Sequence, residues 1–129
     1  MKIMVGYDGS NMSKRAFIAA QKRAKALNAE LHLFASIGAG KGEQVKITRL
    51  QTGLREAEML CTACGISCLT KMSEEKRPVA QDMMHYAQEN KVDEIVIGLR
   101  KRSGLGKILF GAITRQLILE APCPVLTVK

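Results

Sequence analysis

Five short apolar runs, separated by four longer stretches whose apolar residues recur every three or four positions, constrain this chain more than any other feature. Residues 2–7 (KIMVGY), 31–37 (LHLFASI), 66–70 (ISCLT), 93–97 (DEIVI) and 125–128 (VLTV) have the length and apolar content of buried strands. Between the first two runs, Phe17, Ala20, Ala24 and Leu27 fall on one helical face. Ser10 or Asn11 can cap that helix and Asn28 can stop it. The second helix, from Glu43 to Cys64, carries Ile47, Leu50, Leu54, Ala57, Cys61 and Cys64 in one stripe and stops at Gly65. Pro78 suits the first turn of a third, which runs to about Asn90 with Val79, Met83 and Tyr86 inward. Ile113, Leu117 and Ile118 share one face of a fourth, which Pro122 must end. Strands alternating with helices require right-handed crossovers and a mostly parallel sheet covered on both faces. The sequence therefore predicts an α/β fold. With 129 residues and no linker or composition break, it predicts a single domain over 1–129.

In such sheets ligands sit beyond the carboxyl ends of the strands, where the strand order reverses. The stretch 94–113 (EIVIGLRKRSGLGKILFGAI) leaves its strand at Gly98, runs through a loop of bases and glycines and enters a helix after Gly111. Glycines let backbone approach closely, helix N-termini carry unpaired N–H groups, and the helix dipole favours negative charge. This loop is expected to bind phosphate, most naturally on a nucleotide. Asp8 and Ser36 also stand at strand ends, so the topology lets them share one crevice with Gly98.

The formal charge of +8 favours acidic partners. Aromatics are too few, and too far from the bases, to make a stacking platform for single-stranded nucleic acid. No apolar run approaches the ~18 residues of a membrane span, and the chain opens directly in a buried-strand pattern, which gives the expectation of a cytoplasmic protein with reduced cysteines. Residues 38–42 (GAGKG) lack P-loop spacing and a hydroxyl after the lysine. Cys61 and Cys64 form a C-x-x-C at the wrong end of a helix for a redox pair, so both are expected to be buried core thiols. His32 and His85 are isolated and read as packing or surface residues, leaving no catalytic dyad and no expectation of an enzyme.

The motifs VGYDGS, PVAQDMMHYAQENKVDEIVIG and RSGLGKILFGAITRQLILEAPCPVLTV together make the chain resemble the universal stress protein family over essentially its full length. That resemblance implies a Rossmann-like, adenine nucleotide alpha hydrolase-like three-layer sandwich whose parallel strands run in the order 3-2-1-4-5. It also implies a stress-response module that, in many members, binds ATP through a loop of the form Gly, two residues, Gly, nine residues, Gly, Ser or Thr. Gly98 and Gly111 match the first and last glycines. The resemblance further places Asp8 near the nucleotide, Ser36 near adenine, and Ile97, Arg100 and Ile113 at other contacts. With Lys101, Ser103 and Ala112 these residues complete the candidate nucleotide-binding set.

Two positions depart from the pattern. Lys101 replaces the middle glycine and Ala112 the final hydroxyl residue. Losing a hydroxyl that bonds a charged oxygen costs roughly 1.5–3 kcal/mol, about ten- to a hundredfold in affinity, although the Ala112 N–H remains and Lys101 adds a cation. Asp8 has two readings: a ligand that helps hold Mg²⁺ beside phosphates, or an Asx turn that starts the first helix. The function likewise keeps two readings. One is an adenine-nucleotide-responsive module. The other is a homodimeric protein-interaction module of the same family that binds no nucleotide. Family dimers commonly pair through the fifth strand, whose Val125, Leu126 and Val128 would lie on an unpaired edge.

Overall fold

A computed structural model describes residues 1–38, 43–99 and 111–129. Its elements follow the expected alternation: β1 (Lys2–Gly6), α1 (Asn11–Leu27), β2 (Glu30–Ser36), α2 (Gln44–Ala63), β3 (Cys68–Ser73), α3 (Val79–Glu89), β4 (Glu94–Gly98), α4 (Ala112–Glu120) and β5 (Val125–Val128). All strand pairs are parallel, in the order β3-β2-β1-β4-β5. The centre of the sheet is β1, with Ile3 beside Leu31 on one side and Glu94 on the other.

The caps explain where the helices begin and end. Ser10 has extended backbone and its hydroxyl accepts the Ser13 N–H at 3.2 Å. Asn28 ends α1 in the left-handed region (φ 51°), tolerable for a short polar side chain. At the end of α2, Gly65 takes φ 72°, while the Gly65 and Ile66 N–H groups donate to Thr62 and Cys61 carbonyls. That closure corrects the third strand. It begins at Cys68 rather than Ile66, because Ile66 belongs to the helix stop and pairing starts only where Cys68 meets Leu31.

Strand alternation sorts the core into two layers. Ile3, Val5, Leu31, Leu33 and Val96 face α1 and α2, where they meet Ala16, Phe17, Ala20, Leu54 and Cys61. Burying Phe17 alone contributes about 1.5–3 kcal/mol. Met4, Phe34, Ile95 and Ile97 face the other way, under Ala80, Met83 and Ala87 of α3 and Leu117 of α4. The fourth helix is shallower than its pattern suggests. Leu117 is buried, but Ile113 and Ile118 are exposed, so the expected inner stripe reduces to one residue among those three. Val125, Leu126 and Val128 of the edge strand β5 are half-buried rather than open.

Candidate functional site

The carboxyl ends of β1, β2 and β4 and the start of α4 enclose a cavity of about 560 Å³. Each wall follows from a local feature of sequence. Beyond β1, Gly9 at φ 82° turns the chain, and the Ser10 N–H donates to Asp8 Oδ1 at 2.9 Å. This is the Asx turn foreseen as one reading of Asp8, and it fixes the carboxylate at the cavity wall. Beyond β2, the Ser36 hydroxyl donates to Asp82 Oδ2 at 2.7 Å and accepts the Gly38 N–H at 3.2 Å.

Gly98 and Gly111 line the same cavity for different reasons. A side chain at Gly98 would overlap the carbonyl group of Met12 in α1, so this glycine is demanded by helix packing rather than by approach to a phosphate. At Gly111 a Cβ would meet nothing within 4 Å, and its backbone is extended. Gly111 begins α4 without a side-chain cap, and the first intrahelical bond is from Arg115 N–H to Gly111 O at 3.0 Å. The N–H groups of Ala112, Ile113 and Thr114 precede that bond, as the first donors of any helix do. The dipole of α4 adds a positive end to the cavity at this point.

Of the residues expected at the site, Asp8, Ser36, Ile97, Gly98, Gly111, Ala112 and Ile113 all line this cavity. Arg100, Lys101 and Ser103 lie outside the described residues, as does the glycine-rich stretch beyond Gly38. Three residues were missed. Thr114 brings a hydroxyl into the first turn of α4, two positions after the alanine that lacks one, and a look two positions along the helix could have found it. Tyr7 lines the cavity with its ring against α2, where Gly53 leaves room: a Cβ there would sit 2.8 Å from the Tyr7 hydroxyl. Burial, then the charges of Glu56 and Asp8, push the Tyr7 phenol above its usual value. Asp82, 3% exposed, stands behind Ser36, and no sequence signal links them across 46 positions.

Side chains set aside from the site have other partners. His32 is buried, with Nδ1 2.7 Å from the Tyr86 hydroxyl and Nε2 2.6 Å from Glu30 Oε1. An ionised carboxylate only accepts, so Nε2 donates to Glu30, and Nδ1 shares the second hydrogen bond with the tyrosine hydroxyl. His85 is surface-exposed beside Glu89 at 2.8 Å. The C-x-x-C expectation needs correction: Cys61 is buried, but Cys64 is exposed at the end of α2. The sulfur neighbour of Cys61 is Cys68, whose thiol hydrogen bond lowers the Cys61 pKa while raising its own. Among the described residues, no three His, Cys, Asp or Glu side chains gather as a metal site.

The strand order, the cleft at the reversal beside β1 and the placement of Asp8, Gly98 and Gly111 can now be set against known proteins. Residues 1–129 match the family model described as the universal stress protein family. The chain belongs to the universal stress protein family. A universal stress protein of the QAH/OAS sulfhydrylase 3′ region of Thermus aquaticus is 31% identical over 134 residues, covering 98% of this chain and 97% of the relative. A universal stress protein from Archaeoglobus fulgidus has a similar structure, with TM-score 0.88 and 28% identity over 100% of this chain and 98% of the other. Another universal stress protein, solved in complex with cAMP, is similar with TM-score 0.73 and 26% identity, over 99% and 95% of the two chains. The five-stranded order of this universal stress protein is that of the adenine nucleotide alpha hydrolase-like fold.

Proposed function

We propose that this universal stress protein is a nucleotide-responsive module of a stress response, binding ATP or a related adenine nucleotide at the carboxyl ends of β1, β2 and β4. One observation carries the reading: Asp8, Ser36, Gly98 and the start of α4, which has no side-chain cap, meet on a single space of about 560 Å³. That volume lies within the roughly 300–1,000 Å³ of small-molecule sites. Similarity to a relative solved with cAMP supports the choice of ligand class.

The residues fit the parts of such a ligand. Phosphate oxygens would take the N–H groups of Ala112 and Ile113 and the Thr114 hydroxyl, which stands in for the one missing at Ala112. A flat base would lie against Phe34, Val79 and Met83, which line the same cavity. Mg²⁺ would arrive with the phosphates, which supply most of its ligands, and Asp8 would add one carboxylate. The protein would act by binding rather than by catalysis.

The nucleotide would change how the module meets a protein partner, and the same reading takes it as a cytoplasmic homodimer joined along β5. No helix of the described residues is long and apolar enough to cross a membrane. A second reading drops the nucleotide and keeps the dimer. Ala112 favours it, because the family hydroxyl is absent there, and so does β5, an edge strand with one open side.

Thermal unfolding with ATP and Mg²⁺ separates the two. Ligand at a hundredfold over Kd should stabilise the fold by roughly 2.7 kcal/mol. No shift at millimolar nucleotide would leave the second reading. A monomer in sedimentation would remove the dimer from both.

A further inference from the structure

Where α2 gives way to β3, two thiols that do not line the cavity described above are brought together by the backbone between them. The Ile66 N–H donates to the Cys61 carbonyl at 2.9 Å, so the chain closes over the last turn of α2 before Cys68 pairs with Leu31. Cys68 then packs against the same apolar cluster that buries Cys61. The Cys61 sulfur accepts one hydrogen bond from the Cys68 thiol and another from Gln21 Nε2 at 3.8 Å. The Cys68 proton has only the Leu69 carbonyl, at 3.9 Å, as another acceptor among the described residues. The Cys68 bond, the larger influence, and the Gln21 amide hold the Cys61 thiol below its usual pKa against burial and the charge of Glu58. Cys61 has no exposed surface, whereas Cys68 is half-buried on an edge strand.

From this geometry we propose that Cys61 and Cys68 are a modification site, a thiol pair that a hydroperoxide oxidises to an intramolecular disulfide. Once the pair has lost one proton, the two sulfurs share the other, and the sulfur an oxidant reaches is that of Cys68. Its thiolate attacks the peroxide. The S–O bond forms, the O–O bond breaks, and the departing alkoxide or hydroxide takes a proton to become alcohol or water. The Cys61 thiolate then attacks the sulfenic acid at Cys68. The S–S bond forms, the S–O bond breaks, and the departing hydroxide is protonated to water. In all, the two thiols give two hydrogens to one peroxide, and the sulfurs lose the two electrons that the O–O bond gains. The new bond ties the last turn of α2 to the edge strand β3 and closes the short loop that carries Gly65.

The test uses the full chain with Cys64→Ser, which removes the exposed thiol that lies between the pair in sequence. After hydrogen peroxide, unfolding and alkylation, this variant should have lost the two hydrogens of a disulfide and carry no alkyl group at Cys61 or Cys68, read by fragment mass spectrometry. Adding Cys61→Ser should leave the sulfenic acid at Cys68 without a partner, so that dimedone traps it there. Adding Cys68→Ser instead should leave Cys61 a free thiol under the same exposure. Full alkylation of both cysteines, after an exposure that consumes free cysteine in the same tube, would overturn the site. So would Cys68 carried on to sulfinic acid while Cys61 stays alkylated. Failure of dimedone to mark Cys68 when Cys61 is serine would overturn the order of attack. In the wild type, a disulfide that includes Cys64 would overturn the choice of pair.

Discussion

On the face of the sheet covered by α1 and α2, Ile3, Val5, Leu31 and Leu33 are wholly buried beneath alanines, Phe17 and Leu54, and the buried polar side chains there, Glu94 and Ser13, bond Arg23 and the Ser10 carbonyl. On the face covered by α3 and α4, Met4, Phe34 and Ile95 share the interior with His32 and Asp82, each held by short hydrogen bonds. Among the described residues, no buried side-chain nitrogen or oxygen lacks a partner. A mainly apolar layer gains stability in proportion to area and tolerates many apolar solutions. A layer with buried polar groups gains little net energy but fixes orientation, because any other arrangement strands a donor or acceptor. The cavity takes Phe34, Ser36 and Met83 from this second face and Tyr7, Met12 and Ser13 from the first.

The largest expected effect lies on the mainly apolar face. Leu33→Ala should lower unfolding free energy by about 2–5 kcal/mol in denaturant titration. A loss below about 1 kcal/mol would break the contrast, because the mainly apolar layer would then not be the main source of stability. Next comes the polar face. His32→Leu strands the Tyr86 hydroxyl and should cost about 1–3 kcal/mol, part of it recovered when Tyr86→Phe is added. A double-mutant cycle reads that recovery, and strictly additive losses would show that the pair contributes nothing through its contact. The smallest effect sharpens the comparison through pH. Tyr7 on one face and Tyr86 on the other both have raised folded-state values from an ordinary 10.0, chiefly by burial, with Glu56 and Asp8 acting on Tyr7 and Glu30 on Tyr86. A raised value means the folded state keeps its proton longer. The contribution is therefore complete below about pH 10 and lost as pH rises through the folded value. Tyr7→Phe should flatten the alkaline fall in stability, and an unchanged slope would assign that fall to other groups.

Much of this fold was legible because its signals are local. Apolar runs, helical stripes, the serine cap and Asn28 all work within a few residues of themselves, and each appears where its chemistry places it. The candidate site was legible through the spacing of Gly98 and Gly111, although packing against α1, not approach to a phosphate, is what demands a glycine at 98. Spacing cannot reveal that Gly98 is pressed against Met12, since that contact exists only once α1 lies across the end of β4. Asp82 was hidden for the same reason: its partner is on another element, and on its own helix it looks like surface. The third strand was misplaced because β propensity at Ile66 competed with the helix stop, and hydrogen bonds to Cys61 decided the matter. Cys64 was misread by extending a stripe one turn past the point where α2 still faces the sheet.

The central position of β1 has a consequence for how the molecule is born. One of its neighbours begins at Glu30, but the other does not exist until Glu94 has been added to the chain. At a synthesis rate of about 5–20 residues per second, β1 spends on the order of ten seconds with one flank of backbone donors and acceptors unclaimed. Any extended nascent chain nearby could claim that flank first, so crowded polysomes and slow translation are the conditions under which this protein is most exposed to aggregation.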